Sequence, residues 1–163
     1  MKSAVFSRRD HFPETPISPW AGARRFGWTR AFTPGGQVRR PQSVPHPFLN
    51  QRKVWGLLSV SFQDVDLIFA TPLELDQFLS VMSSNPLPSG GSLVPGFARG
   101  HPNRHWLSRL PKEAKPWKFR RAICAWLPQQ AAVREFREFY RAQPVRTVFE
   151  GVFSSPLAAM RAP

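Results

Sequence analysis

The sequence is poor in several residue types, and each shortage excludes a class of protein. One cysteine, Cys124, excludes an internal disulfide framework and a zinc site made of cysteines alone. The longest strongly apolar run, Val54 to Leu58, is far shorter than the roughly 20 residues of a membrane-crossing helix. Acidic residues number 10 against 23 lysines and arginines. We therefore expect a cytoplasmic protein with no membrane partner and a large excess of positive charge.

The residues that are present support a folded domain. The chain has 163 residues, of which 42% are hydrophobic, and it includes 14 phenylalanines and 6 tryptophans. This content is enough to bury the core of one domain. The 18 prolines exclude regular helix or sheet from part of the chain.

Positive charge and proline are concentrated in the first 50 residues. This segment has eight basic residues, two acidic residues and seven prolines. Prolines spaced this closely interrupt helices, so we predict that residues 1–50 form an irregular arm, extended or disordered and basic. Organellar transit peptides share the Arg-rich composition but need an amphipathic helix, which these prolines break. The arm residues expected to contact a partner are Arg8, Arg9, Arg24, Arg25, Arg39 and Arg40.

An acidic segment is followed by a strongly basic one. Residues 54–98 have a net charge of −4, whereas residues 99–121 have a net charge of +7. Opposite charges on neighbouring segments are compatible with docking inside the fold, which would leave less charge for a partner. The sequence leaves open whether the basic segment pairs with the acidic residues at 64–76.

Local patterns predict two strands followed by a helix. Residues 54–62 and 65–70 are rich in β-branched and aromatic residues, which predicts strands. The two segments form either a hairpin or one long bent strand. Thr71, Pro72 and Glu74 form a capping-box pattern, which begins a helix that ends by Asn85. The apolar stripe of this helix is Leu75, Phe78, Leu79 and Met82.

The rest of the chain completes an α+β domain. We predict a long loop at 85–103, a helix opened by Pro116, a helix over 129–143 and a strand over 145–153. The fold class is thus α+β, with a small antiparallel sheet packed with about three helices. The domain is expected over residues 51–154, followed by a tail at 155–163.

The basic segment also contains aromatic residues, which is typical of nucleic-acid-binding surfaces. Cations contact phosphates, and a tryptophan can stack on an unpaired base. The alternative is that the tryptophans are core residues and that the charges form a solvated face. Arg134, Arg137 and Arg141 are interpreted as an ordinary charged helix surface. The candidate nucleic-acid-binding residues are Arg99, Arg104, His105, Trp106, Arg109, Lys112, Lys115, Trp117, Lys118 and Arg121.

No pattern predicts a metal, a cofactor or a catalytic centre. His101 and His105 are four residues apart, but Pro102 argues against the helix that would bring them together. Asp64 and Asp66 are two residues apart on a predicted strand. This spacing fits two solvated positions as well as it fits an ion site. The composition is compatible with a nuclease that uses His105, but the spacing of residues along the sequence does not support one.

Two stretches carry a resemblance to a known group. They are SFQDVDLIFATPLELDQFLSVMSSNPLPSGGSLV, from Ser61 to Val94, and NRHWLSRLPKEAKPWKFR, from Asn103 to Arg120. Together they resemble an uncharacterised group of proteobacterial proteins encoded on plasmids and integrative conjugative elements. The resemblance implies a bacterial protein from mobile DNA and transfers no catalytic residue.

Three functions are compatible with these observations. The first is a non-enzymatic nucleic-acid-binding accessory protein of a mobile element, with DNA or RNA as its partner. The second is a protein-binding inhibitor, or a subunit, of a larger protein or nucleoprotein complex such as a host defence complex, with the arm ordering along its partner. The third is a small nuclease or toxin.

Overall fold

A three-stranded antiparallel sheet supports the core. The computed structural model describes residues 1–94 and 105–163, apart from the side chains of residues 38 and 39. The sheet has the order β1 (Lys2–Arg9), β4 (Trp55–Phe62), β5 (Val65–Phe69). A separate antiparallel pair consists of β2 (Phe26–Phe32) and β3 (Val38–Pro45). The predicted α+β class with a small antiparallel sheet is confirmed.

Strands β4 and β5 form a tight hairpin rather than one bent strand. The two turn residues, Gln63 and Asp64, have φ angles of 49° and 63°. Positive φ at both central positions is the geometry of a type I′ turn, whose twist matches that of the flanking strands. Leu58, Val60 and Phe62 of β4 are buried on one side of the sheet.

Helix α1 (Pro72–Met82) begins where the sequence predicts. The Thr71 hydroxyl accepts a hydrogen bond from the Glu74 backbone N–H at 3.3 Å. Leu75, Phe78 and Met82 are fully buried, so the predicted apolar stripe faces the core. The Glu74 carboxylate accepts from the N–H of Ala70 at 2.7 Å.

Two further helices pack with α1 against the sheet. They are α4 (Trp117–Trp126) and α5 (Ala131–Ala142), and both confirm the predicted helices. The Tyr140 hydroxyl of α5 donates to the Ala70 carbonyl at 2.5 Å and accepts from the Gly56 N–H at 3.0 Å. A Cβ at Gly56 would lie 3.0 Å from ring carbons of Phe6 and Tyr140, so this close approach favours glycine.

Short helices occupy the connections. The predicted loop at 85–103 contains α2 (Gly90–Leu93), and its residues 95–103 lie outside the described residues. One turn of helix, α3 (Trp106–Arg109), follows. In the described residues, no helix combines the length and the apolar character that crossing a membrane requires.

The prediction of an irregular arm over residues 1–50 is wrong where strands form. β1 pairs with β4 along its whole length, from Lys2 opposite Phe62 to Arg9 opposite Trp55. The rings of Phe6 and Phe136 lie 6.1 Å apart, so β1 also contributes to the core. The main sheet therefore spans the boundary that we predicted at residue 50.

The predicted final strand and tail also differ from the structure. Residues 145–153 take part in two isolated bridges: Phe149 pairs with Val152 across a turn in which Gly151 has a φ angle of 71°, and Phe153 pairs with Trp28 of β2. The tail contains α6 (Pro156–Arg161), capped by the Ser155 hydroxyl. Arg30 of β2 holds this helix, because its Nε donates to the Ala159 carbonyl at 2.9 Å.

Candidate nucleic-acid interface

The first half of α4 and the turn before it present a group of cations to solvent. Lys112, Lys118 and Arg121 are exposed, Lys115 is partly buried, and the Trp117 residue is 39% exposed. Trp117, Lys118 and Arg121 occupy positions i, i+1 and i+4, which share one side of a helix. We call Lys112, Lys115, Trp117, Lys118 and Arg121 the α4 basic face.

A buried arginine, Arg120, lies beneath this face and contacts both the backbone and the Trp117 ring. Arg120 is 3% exposed, and its guanidinium donates to the carbonyls of Lys115 at 2.8 Å, Met82 at 3.1 Å and Ser84. The same guanidinium lies 5.0 Å from the centroid of the Trp117 ring. This cation–π contact fixes the indole while its remaining surface stays open to a ligand.

Three of the four carboxylates of the acidic segment have contacts away from the α4 basic face. Glu74 is fully buried, Asp66 accepts a hydrogen bond from the Ser61 hydroxyl, and Asp76 is 2.5 Å from Arg137 of α5. Among the described residues, Glu14 pairs with Arg25 and Asp76 pairs with Arg137, and Asp10 lies 2.7 Å from His11. The positive charge of Lys112, Lys118 and Arg121 is therefore not neutralised by these pairs.

The structure removes His105 and Trp106 from the predicted binding surface. Each is 2% exposed. His105 caps α3, because its Nδ1 accepts from the Leu107 N–H at 3.1 Å, and its ring lies 4.7 Å from Trp20. Burial lowers the pKa of His105, which favours the neutral imidazole. Neither side chain can contact a phosphate or a base without leaving the core.

The remaining predicted residues of the basic segment lie apart from the α4 basic face or outside the described part. Arg109 is exposed at the end of α3, in a groove that it lines together with Asp66 of β5. Arg99 and Arg104 lie outside the described residues. Sequence reasoning missed the role of Arg120, because a basic residue next to an apolar stripe gives no sign of burial.

The arginines assigned to the arm have fixed positions on the folded domain. Arg8 and Arg9 are exposed on β1, and the Arg8 guanidinium lies 5.7 Å from the Phe139 ring. Arg25 pairs with Glu14 at 2.6 Å, and burial lowers the pKa of the Arg24 guanidinium. Arg40 is exposed in β3, whereas the Arg39 side chain is outside the described part.

Within the described ranges, no group of three or more His, Cys, Asp and Glu side chains is arranged to hold a metal ion. Comparison of the chain with protein-family models, with curated proteins and with solved structures gives no match.

Proposed function

We propose that this protein binds single-stranded nucleic acid, DNA or RNA, through the α4 basic face and without catalysis. The observation that carries the proposal is the presence of an exposed, anchored tryptophan among exposed cations on one helix. Cations that follow a phosphate backbone and an aromatic ring that stacks on a base are the two components of sequence-tolerant single-strand binding. The resemblance to proteins of mobile elements would make the nucleic acid of such an element the natural target.

The alternative of a protein-binding module has less support. It depended on a disordered arm that orders along a partner, whereas Lys2–Arg9 pairs with β4 and Phe26–Phe32 pairs with β3. The nuclease alternative depended on His105, whose imidazole is buried as a helix cap.

Binding is tested by fluorescence anisotropy with labelled single-stranded oligonucleotides over a range of salt concentrations. Each phosphate contact contributes about 0.7 to the slope of log K against log salt for a single strand. The double variant Lys118→Ala/Arg121→Ala should therefore lower the slope by about 1.4. Trp117→Ala should weaken binding by about 1–3 kcal/mol with little change in slope, because stacking releases no counterions.

A matched control changes the same charge elsewhere. Arg134→Ala/Arg161→Ala removes two exposed arginines from α5 and α6. The proposal expects this control to keep the slope of the unaltered protein. Equal losses in the two double variants would contradict it, and so would undetectable binding of the unaltered protein at about 50 mM salt.

A further inference from the structure

A second basic site lies between the beginning of α1 and the end of α5. A cleft of about 300 Å³ opens there, and we call it the arginine cleft. Arg137 and Arg141, one helical turn apart, supply its charge, whereas Leu73 and Val145 contribute apolar surface. Its lining residues are Pro72, Leu73, Arg137, Tyr140, Arg141, Pro144 and Val145.

The cleft is held in shape by buried hydrogen bonds. The Tyr140 hydroxyl connects α5 to Ala70, directly before α1, and to Gly56 of β4. Burial raises the pKa of Tyr140 to about 12, so the hydroxyl remains a donor at neutral pH. A preformed site avoids the entropy cost of ordering its walls when a ligand binds.

Positive potential in the cleft comes from three sources. Arg141 is exposed, and Arg137 keeps part of its surface open, although Asp76 at 2.5 Å offsets part of its charge. Leu73 occupies the second position of α1, where backbone N–H groups have no intrahelical acceptor and the helix dipole is positive. The described residues that line this cleft include no acidic residue.

The positive lining continues beyond the cleft. A hollow of about 430 Å³ shares Pro144 with the arginine cleft and is lined by Arg52 and Lys53. Gln143 adds an amide group that can donate to anionic oxygens, whereas the Gln51 amide is bonded to the backbone of Arg146. A ligand with repeated negative charge therefore fits this surface better than one with a single carboxylate.

We propose that the arginine cleft binds one nucleotide unit of a single strand, with the phosphate between Arg137 and Arg141. The base lies against the apolar surface of Leu73, Pro144 and Val145. This inference rests on the proposed function and adds a second contact site to it. Two guanidinium groups suit the several acceptor oxygens of a phosphate, and apolar surface beside them suits a flat base. An acidic peptide would use the charge and has no comparable need for that apolar surface.

Two single substitutions test the cleft. Leu73→Asp places a carboxylate in it, and an acidic residue in the first turn of a helix favours folding. We expect Leu73→Asp to abolish binding of 5′-AMP, measured by titration calorimetry or NMR shifts. Arg141→Ala should weaken it about tenfold, the typical loss of one charge-assisted hydrogen bond. Arg134→Ala is the matched control, because Arg134 is an exposed arginine of the same helix, seven residues before Arg141 and three before Arg137, and it does not line the cleft.

The comparison of probes separates this inference from the proposed function. Tighter binding of 5′-AMP than of inorganic phosphate, lost in Leu73→Asp and kept in Arg134→Ala, supports a nucleotide site. Equal binding of 5′-AMP to Leu73→Asp and to the unaltered protein overturns it. A poly-glutamate peptide that competes better than 5′-AMP also overturns it, in favour of an acidic peptide. Oligonucleotide binding that Lys118→Ala/Arg121→Ala weakens and Leu73→Asp leaves unchanged overturns the cleft and leaves the proposed function standing.

Discussion

Glu74 is a fully buried carboxyl group whose neighbours are hydroxyl and amide groups. Its oxygens accept from the Ser18 hydroxyl at 2.6 Å, the Ala70 N–H at 2.7 Å and the Thr15 hydroxyl at 2.9 Å. Burial raises its pKa above the ordinary value of 4.5, although these hydrogen bonds partly oppose the increase. Glu74 therefore connects the N-terminal segment to α1 at the cost of burying a charge.

Glu74 should make stability fall as pH rises. The folded protein holds this proton more tightly than the unfolded chain, so the contribution of Glu74 to the free energy of unfolding decreases between pH 4.5 and its folded pKa. In Glu74→Gln, the Ser18 hydroxyl can turn to accept from the new amide, and this decrease should disappear. The difference in stability between the variant and the unaltered protein should grow with pH across that interval, measured by urea unfolding.

Glu74→Leu separates charge from hydrogen bonding. It leaves the Ser18, Thr15 and Ala70 donors without their acceptor, which should cost about 2 kcal/mol or more at every pH. A pH-independent difference between Glu74→Gln and the unaltered protein would contradict the assignment of the raised pKa.

At the scale of elements, Arg120 joins the end of α1 to the beginning of α4. Its guanidinium satisfies the Met82 and Ser84 carbonyls at the C-terminal end of α1, where helices leave carbonyls without partners. A cation in this position also interacts favourably with the helix dipole. This one side chain thus adds buried hydrogen bonds to the apolar packing between the two helices.

Replacement of Arg120 should loosen this junction. Arg120→Met keeps an apolar stem and leaves the carbonyls unpaired, so we expect a loss of about 2–3 kcal/mol in the free energy of unfolding. Arg121→Met is the control on the neighbouring, exposed position and should change stability by less than about 0.5 kcal/mol. Tryptophan fluorescence during urea unfolding measures both, and equal stabilities of the two variants would refute the role of Arg120.

Elements with local signals could be predicted, whereas those that depend on distant partners could not. Helix α1 follows from the Thr71 cap and its apolar spacing, both readable within a dozen residues. β1 was missed because its partner residues in β4 are 46–60 positions away and its exposed positions hide the alternation of Ala4 and Phe6. The β2–β3 hairpin has a local sign, Gly35 and Gly36 between the two strands, which by itself predicts a turn and not the strands that flank it.

The same distinction applies to the candidate interface. Lys118 and Arg121 fall outside the apolar stripe of Phe119, Ile123 and Leu127, so helical spacing alone predicts that they face solvent, and both are exposed. The burial of His105 and Trp106 depends on Trp20 and Phe78, which belong to other segments. The arginine cleft escaped prediction for a similar reason, because Arg137 and Arg141 meet Leu73 only in the folded chain.

At the scale of the whole molecule, basic residues of the predicted arm, such as Arg8, Arg9 and Arg30, lie on strands of the fold instead of on a separate arm. If residues 1–9 were a disordered arm, Phe6→Ala would leave stability unchanged. Since Phe6 packs against Phe136 and Phe139, we expect a loss on the order of 2 kcal/mol, less than for a fully buried phenylalanine.

Val5 provides the control for this prediction. It lies on the same strand, and it is 57% exposed on the opposite side of the sheet. Val5→Ala should change the thermal unfolding temperature very little. A temperature for Phe6→Ala that matches that of Val5→Ala would show that the Phe6 ring contributes nothing to the stability of the core.

The long separation of β1 from β4 has a consequence for the order of folding. β4, β5 and α1 follow one another within Trp55–Met82, so they can assemble through short loops. β1 must close a loop of about 45 residues to reach β4, and the entropy cost of closure delays such distant contacts. In refolding experiments, the β4–β5 hairpin and α1 should therefore gain amide protection before β1. During that interval the vacant edge of β4 is the place where a second chain could pair and begin aggregation.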